Sequence, residues 1–134
     1  MAEHPNALRI RRAYDALAVG DVAVALGQMS PRAVLHFNGT GPLGGDHVGP
    51  DAIAAALVGI AQYTAGTQKI EVHRVFADDM HGIVLLRESG SRPDGATLSV
   101  EEAHVLSLDG DGLITDIWDV PDDPDSHDRF FDGR

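Results

Sequence analysis

The chain has 134 residues, 43% hydrophobic and 23% charged, which suits one domain with a core of its own. A net charge of −11 argues against a nucleic-acid or anionic-membrane partner, since either would require a lysine- and arginine-rich face. With no cysteine there is no disulfide framework, thiol catalysis or thiolate metal site, and no apolar run is long enough to span a bilayer.

The opening stretch MAEHPNALRIRRAYDALAVGD interleaves arginines with apolar residues at helical spacing, unlike a signal peptide, so a cytoplasmic protein is expected. Ile10, Ala13, Tyr14 and Leu17 recur on one face of a first helix, which Gly20 ends. Asp21 is an N-cap for a short second helix carrying Val22, Ala25, Leu26 and Met29, broken by Ser30-Pro31. Ala33 to Phe37 reads as a strand. The glycine-rich connection GTGPLGGDHVGP fits neither periodic state and has no lysine with which to form a phosphate-cradling loop. Pro50 suits the first turn of a third helix that buries Ile53, Ala56, Leu57 and Ile60.

From Lys69 the period changes. KIEVHRVF, HGIVLLRESG, TLSVEEAHVLSL and LITDIWDV are strand-like runs joined by the turn sequences DDMHG, SRPDG and DGDG. Three helices followed by a meander of strands predict one α+β domain over residues 1–134, a curved antiparallel sheet wrapped over helices. The segment from about 121 to 134 reads as an acidic tail, with Phe130 and Phe131 positioned to dock on the body. DGDG lacks the ligand positions of a calcium loop and reads as a hairpin turn.

That turn sets the register of its flanking strands. Alternation puts Glu102, His104 and Leu106 on one face, and opposes Thr115, Ile117 and Asp119 to Ile114, Asp116, Trp118 and Val120. Glu102 and His104, roughly 7 Å apart along one inward face, can line a common cavity in which burial moves their pKa values. On the outer face Val105, Ile114 and Trp118 are apolar enough to meet a second copy of the chain, and a homodimer is expected. His73 falls on a polar strand face; His4, His47, His81 and His127 read as rim, turn or surface residues. No histidine spacing suits zinc, and no cofactor fingerprint is present, so neither metal nor cofactor is expected.

RRAYDALAVGDV, VLHFNGTGPLGGDHVGPDAI and EEAHVLSLDGDGLITDIWDVPDD, in this order and spacing, resemble the SnoaL-like and ketosteroid isomerase-like proteins of the nuclear-transport-factor-2-like superfamily. The resemblance runs over nearly the whole chain. It implies a cone-shaped, cystatin-like fold in which a curved mixed sheet wraps three N-terminal helices. It sets His104 where the isomerases hold the protonated aspartate of their oxyanion hole, and Asp119 where SnoaL-like cyclases have a general acid or base. Where the isomerases carry a first-strand base, this chain reads His36, Phe37, Asn38; either His36 or Phe37 faces the pocket. Tyr14 resembles the isomerases' oxyanion tyrosine but stands one residue out of place, a rotation of about 100° on a helix.

The implied function is cofactor-independent acid–base chemistry of the isomerase, cyclase or dehydratase kind on a small apolar carbonyl compound. Its candidate catalytic residues are His104, Asp119 and His36, and its candidate binding residues are Tyr14, Phe37, Leu57, Glu102 and Trp118. The alternative is a non-catalytic cone that binds a ligand or dimerises. The missing first-strand carboxylate agrees with that reading.

Overall fold

A computed structural model describes residues 3–132. Helix α1 (Pro5–Ala18) starts on Pro5, and His4 caps it by accepting the Asn6 N–H at Nδ1. The Asp21 carboxylate caps α2 (Val22–Leu26) by accepting from Val24 N. Strand β1 (Met29–Phe37) follows at once. Met29 is thus a strand residue, not a helical one: it pairs with Ile114, and Gln28 O accepts from Ile114 N. Pro31 lies within the register shift between Met29 and Val34, where a missing N–H costs no ladder bond.

The glycine-rich connection contains a short edge strand, β2 (Gly45–Val48), antiparallel to β1. Its side chains are mostly exposed, so no apolar alternation marks it. Helix α3 (Pro50–Tyr63) enters from Gly49 at φ 88°, a left-handed conformation that glycine adopts without strain. Strands β3 (Lys69–Ala77), β4 (His81–Ser91), β5 (Thr97–Leu108) and β6 (Ile114–Pro121) form the meander, and α4 (Pro124–Asp132) ends the described chain.

The six strands make one mixed sheet in the order β2-β1-β6-β5-β4-β3, antiparallel throughout except where β1 runs parallel to β6. Register shifts in β1/β6, β3/β4 and β5/β6 bend the strands around the helices, as bulges do. The shift at Ser107/Leu108 overturns one expected side-chain direction. It breaks the alternation at the start of β6, so Ile114 is fully buried in the core and is not on the outer face.

The main core joins Ala7, Ile10, Ala13 and Tyr14 of α1 and Ile53 and Ala56 of α3 to Leu35, Val84, Leu86, Leu106 and Ile117 of the sheet. Each large side chain fully removed from water there contributes about 1.5–3 kcal/mol. A second cluster packs Phe130 and Phe131 of α4 against Phe37, Ile60, Leu98 and Val100. The last residues of the chain are therefore a helix with one buried face, and both phenylalanines dock on the body. Among the described residues no helix is long and apolar enough to cross a membrane.

Candidate active site

Between the inner face of the sheet and α1 and α3 lies a cavity of about 460 Å³. Leu17, Met29, Leu35, Phe37, Ile53, Leu57, Ile60 and Ile117 make its apolar walls. Ala18, Gly20, Ala61, Gly66 and Lys69 combine exposure to solvent with a place in the lining, so the cavity opens between the ends of α1 and α3 and the start of β3. One side is polar. There Tyr14 from α1, Glu88 from β4, Glu102 and His104 from β5 and Asp119 from β6 converge, with Gln68 beside them.

The strand register explains the convergence. Leu86 pairs with Glu102, Val84 with His104 and His104 with Asp119, so inward-facing positions of three adjacent strands stand side by side. The Tyr14 hydroxyl and His104 Nδ1 are 2.5 Å apart. Burial, then the charges of Glu102 and Asp119, raise the tyrosine pKa far above its usual range. Burial lowers that of His104, against the opposing pull of Asp119 and Glu88. With the tyrosine protonated and the imidazole neutral, the hydroxyl donates to Nδ1 in the tautomer that carries the ring proton on Nε2. Nε2 lies 3.6 Å from Glu102 Oε1.

Three carboxylates here differ sharply in their surroundings. Glu88 Oε2 accepts from Gln68 Nε2 at 2.5 Å, and Asp119 Oδ1 accepts from Asn38 N at 2.6 Å. Glu102 has no such neutral donor, and its Oε2 is buried without a hydrogen-bond partner among the described residues. Burial, followed by contact with Glu88 and its charge, pushes the Glu102 carboxyl up to about 10, so it is protonated at neutral pH. Burial also acts upward on Glu88, but contacts with His127 and Glu102 outweigh it and leave that carboxyl below the usual range. Asp119 is raised by burial, partly offset by the Asn38 N–H and by the charges of His127 and His104.

Of the candidate residues, Tyr14, Phe37, Leu57, Glu102, His104 and Asp119 all line the cavity. His36 and Trp118 do not. They point from the outer face of the sheet, His36 being held between Asp46 at 2.7 Å and Asp116 at 2.9 Å and stacked on Trp118 at 4.7 Å. Strand alternation decides this: Phe37 and Asp119 take the inward positions, so their neighbours His36 and Trp118 turn away.

Two members of the site were not expected from the sequence. Glu88 faces inward because it pairs with Ile70 and Val100, both inner-face residues. The alternation of HGIVLLRESG carried that signal. His127, expected at the surface, is completely buried. It sits at i, i+3 and i+4 with Phe130 and Phe131, a helical stripe inside a segment whose acidity suggested a tail.

Glu88, Glu102 and His127 bring ligand atoms within 4.8 Å of one another. A metal-bound imidazole normally donates its second nitrogen to an acceptor. Among the described residues His127 Nδ1 has none, and its ring packs on Phe37 and Phe131 at 5.4 and 4.8 Å. On the other side of the ring, Nε2 lies at ion-pair distance from Glu88 Oε1 and Asp119 Oδ2, 3.3 and 3.5 Å away.

Comparison with known proteins is consistent with this architecture. Residues 10–117 match the model of the SnoaL-like domain. No curated protein sequence matches significantly. The structure of Bal32a from a soil-derived mobile gene cassette is similar, with 29% identity, coverage of 94% of this chain and 95% of that one, and a TM-score of 0.88. TerC, co-crystallized with polyporic acid, is 20% identical over 92% and 96% of the two chains, with a TM-score of 0.81. RV0760c from Mycobacterium tuberculosis, in complex with estradiol-17beta-hemisuccinate, is 15% identical over 87% and 93%, with a TM-score of 0.72.

Proposed function

The chain belongs to the SnoaL-like domain family, and from that premise we propose that it is a cofactor-independent enzyme moving protons on a small, mostly apolar carbonyl compound. One observation carries the reading: the Glu102 and Asp119 carboxyl groups and the His104 imidazole meet on one wall of an otherwise apolar cavity. The roles follow from protonation state. Asp119, whose carboxyl pKa burial raises, is the base, and its Oδ2, 3.5 Å from His127 Nε2, takes a proton from the carbon beside the ligand's carbonyl. The enolate oxygen then receives hydrogen bonds from the Glu102 O–H and the His104 Nε2–H, while Tyr14 holds the His104 tautomer. Phe37 and Leu57 line the apolar wall.

The enolate has two outlets. Return of the proton from Asp119 to a different carbon isomerises the ligand; attack of the enolate carbon on a second carbonyl closes a ring. The size of the cavity lies in the range typical of small-molecule sites. That two relatives were solved with such molecules supports a ligand of this class. The reading has the protein acting in the cytoplasm.

The test follows exchange of the α-protons of 2-tetralone in D2O by NMR. Wild-type protein should accelerate exchange, and Asp119→Asn should abolish the acceleration. Binding of 2-tetralone without exchange by the wild type would favour the non-catalytic cone.

We also propose a homodimer through the outer sheet face. Across β4, β5 and β6 the register aligns Ile83 with Val105 and Trp118, and Leu85 with Ala103 and Val120, two adjoining apolar rows. Ile83, Leu85, Trp118 and Val120 are between 38% and 52% exposed, more than such side chains favour in water. Light scattering should give twice the monomer mass for the wild type and the monomer mass for Trp118→Glu. A monomeric wild type at micromolar concentration contradicts it.

A further inference from the structure

Helix α4 is more than a cover. The Asp123 side chain caps it through Ser126, accepting from the backbone N–H at 3.1 Å and from Oγ at 2.7 Å. Its far side is tied to the body at several points. Asp128 accepts from Thr40 N at 2.7 Å, and Phe130 O accepts from Tyr63 and from Arg92, each at 2.7 Å. A side chain at Gly41 would come within 2.8 Å of Asp132 and of the Phe131 carbonyl, so the rim loop itself is shaped to the helix. This docking drives His127 in behind the polar wall of the cavity.

There the His127 Nε2 stands 3.3 Å from Glu88 Oε1, 3.5 Å from Asp119 Oδ2 and 4.0 Å from Glu102 Oε1. The groups facing it come from every element around it: Glu88 on β4, Glu102 and His104 on β5, Asp119 on β6 and the Phe37 ring on β1. Three carboxylates this close cannot all be ionised in a dry interior without a cation, and two imidazoles lie among them: His104, with Nδ1 engaged by Tyr14 and Nε2 3.6 Å from Glu102 Oε1, and His127, with Nε2 nearest Glu88 and Asp119. The distances and donors divide the charge. Glu88 and Asp119 lie nearest the ring, and each also has a neutral N–H donor, from Gln68 and Asn38. Glu102 is farthest from the ring and has neither advantage, so it keeps the proton.

We propose that His127 is a positioning residue of this site, a buried imidazolium that holds Glu88 and Asp119 as carboxylates and so leaves Glu102 as the proton-bearing donor to the ligand. Burial alone would favour a neutral ring, but contact with Glu88 and the charges of Glu102, Glu88 and Asp119 outweigh it and raise the His127 pKa. The assignment rests on the acid–base reading of the cavity. It deepens that reading by giving the C-terminal helix a chemical role.

The experiment starts with unaltered protein. In ¹⁵N-histidine NMR, His127 should be an imidazolium at pH 7 while His104 is neutral; a neutral His127 overturns the proposal whether or not any variant folds. In ¹³C-carboxyl NMR of His127→Gln, checked for folding by circular dichroism, the midpoints of Glu88 and Asp119 should rise by about one pH unit or more. The pH profile of 4-nitrophenol binding should shift in step. His127→Gln with carboxyl midpoints identical to wild type overturns the proposal, as does stoichiometric uptake of zinc or iron that depends on His127. If the midpoints move but the wild type exchanges no ketone protons, the acid–base reading fails and the charge assignment stands.

Discussion

The two faces of the sheet hold nearly the same chemistry and should behave differently. On the outer face His36 lies between Asp46 and Asp116; on the inner side His127 lies among Glu88, Glu102 and Asp119. In both places burial acts to lower the imidazole pKa and neighbouring carboxylates raise it. The contrast is in solvent. The His36 side chain is 24% exposed and Asp46 63%, whereas His127 has no exposure at all. Water and salt screen the charges of the outer trio. Inside, like charges are unscreened, one carboxyl must keep its proton, and an acid and a base coexist at neutral pH. Burial thus separates an ordinary surface ion pair from a candidate catalytic set.

Substitutions can break this comparison. Asp119→Asn should reduce the rate of ketone α-proton exchange by about 10²–10⁴-fold, the usual contribution of a positioned base, with the fold unchanged. His36→Ala measured alongside should stay within about twofold of wild type. Equal losses in the two variants would mean that the inner face has no special role.

Glu102→Gln sharpens the comparison through stability. The folded pKa of Glu102, about 10, lies above its ordinary value of 4.5. The folded protein therefore binds a proton that the unfolded chain has released across that window. The stabilisation this confers is complete below about pH 4.5 and is lost as pH rises toward 10. A glutamine has no proton to release, so the variant should gain up to about 4 kcal/mol on wild type between pH 5 and pH 8. Urea unfolding at the two pH values measures this, and an unchanged difference would refute the protonated carboxyl. His36→Ala should cost less than about 1 kcal/mol in the same assay, as expected for a partly exposed ion pair.

Much of this molecule was legible in its sequence because alternation and helical period report burial directly. The three N-terminal helices, the four strands of the meander and the inward direction of Glu102, His104 and Asp119 all follow from spacing. What alternation cannot register is a residue inserted or paired irregularly. The bulge at Ser107/Leu108 turned Ile114 inward, and the polar edge strand Gly45–Val48 had no apolar face to betray it. His36 and Phe37 could not be told apart because one residue of register exchanges the two faces. His127 was hidden for another reason: five of the nine residues of its helix are acids, arginine or serine on the solvent side, and they masked the stripe His127, Phe130, Phe131.

The central claim is that the inner polar wall engages the oxygen of a carbonyl ligand. A crystal structure with 4-nitrophenol, whose oxygen imitates an enolate, tests it most directly. That oxygen should lie within hydrogen-bond distance of both Glu102 and His104, with the ring against Phe37 and Leu57. A phenol bound only against Trp118 on the outer face, or lying in the cavity with its oxygen turned toward Gly20 and Gly66, would contradict it.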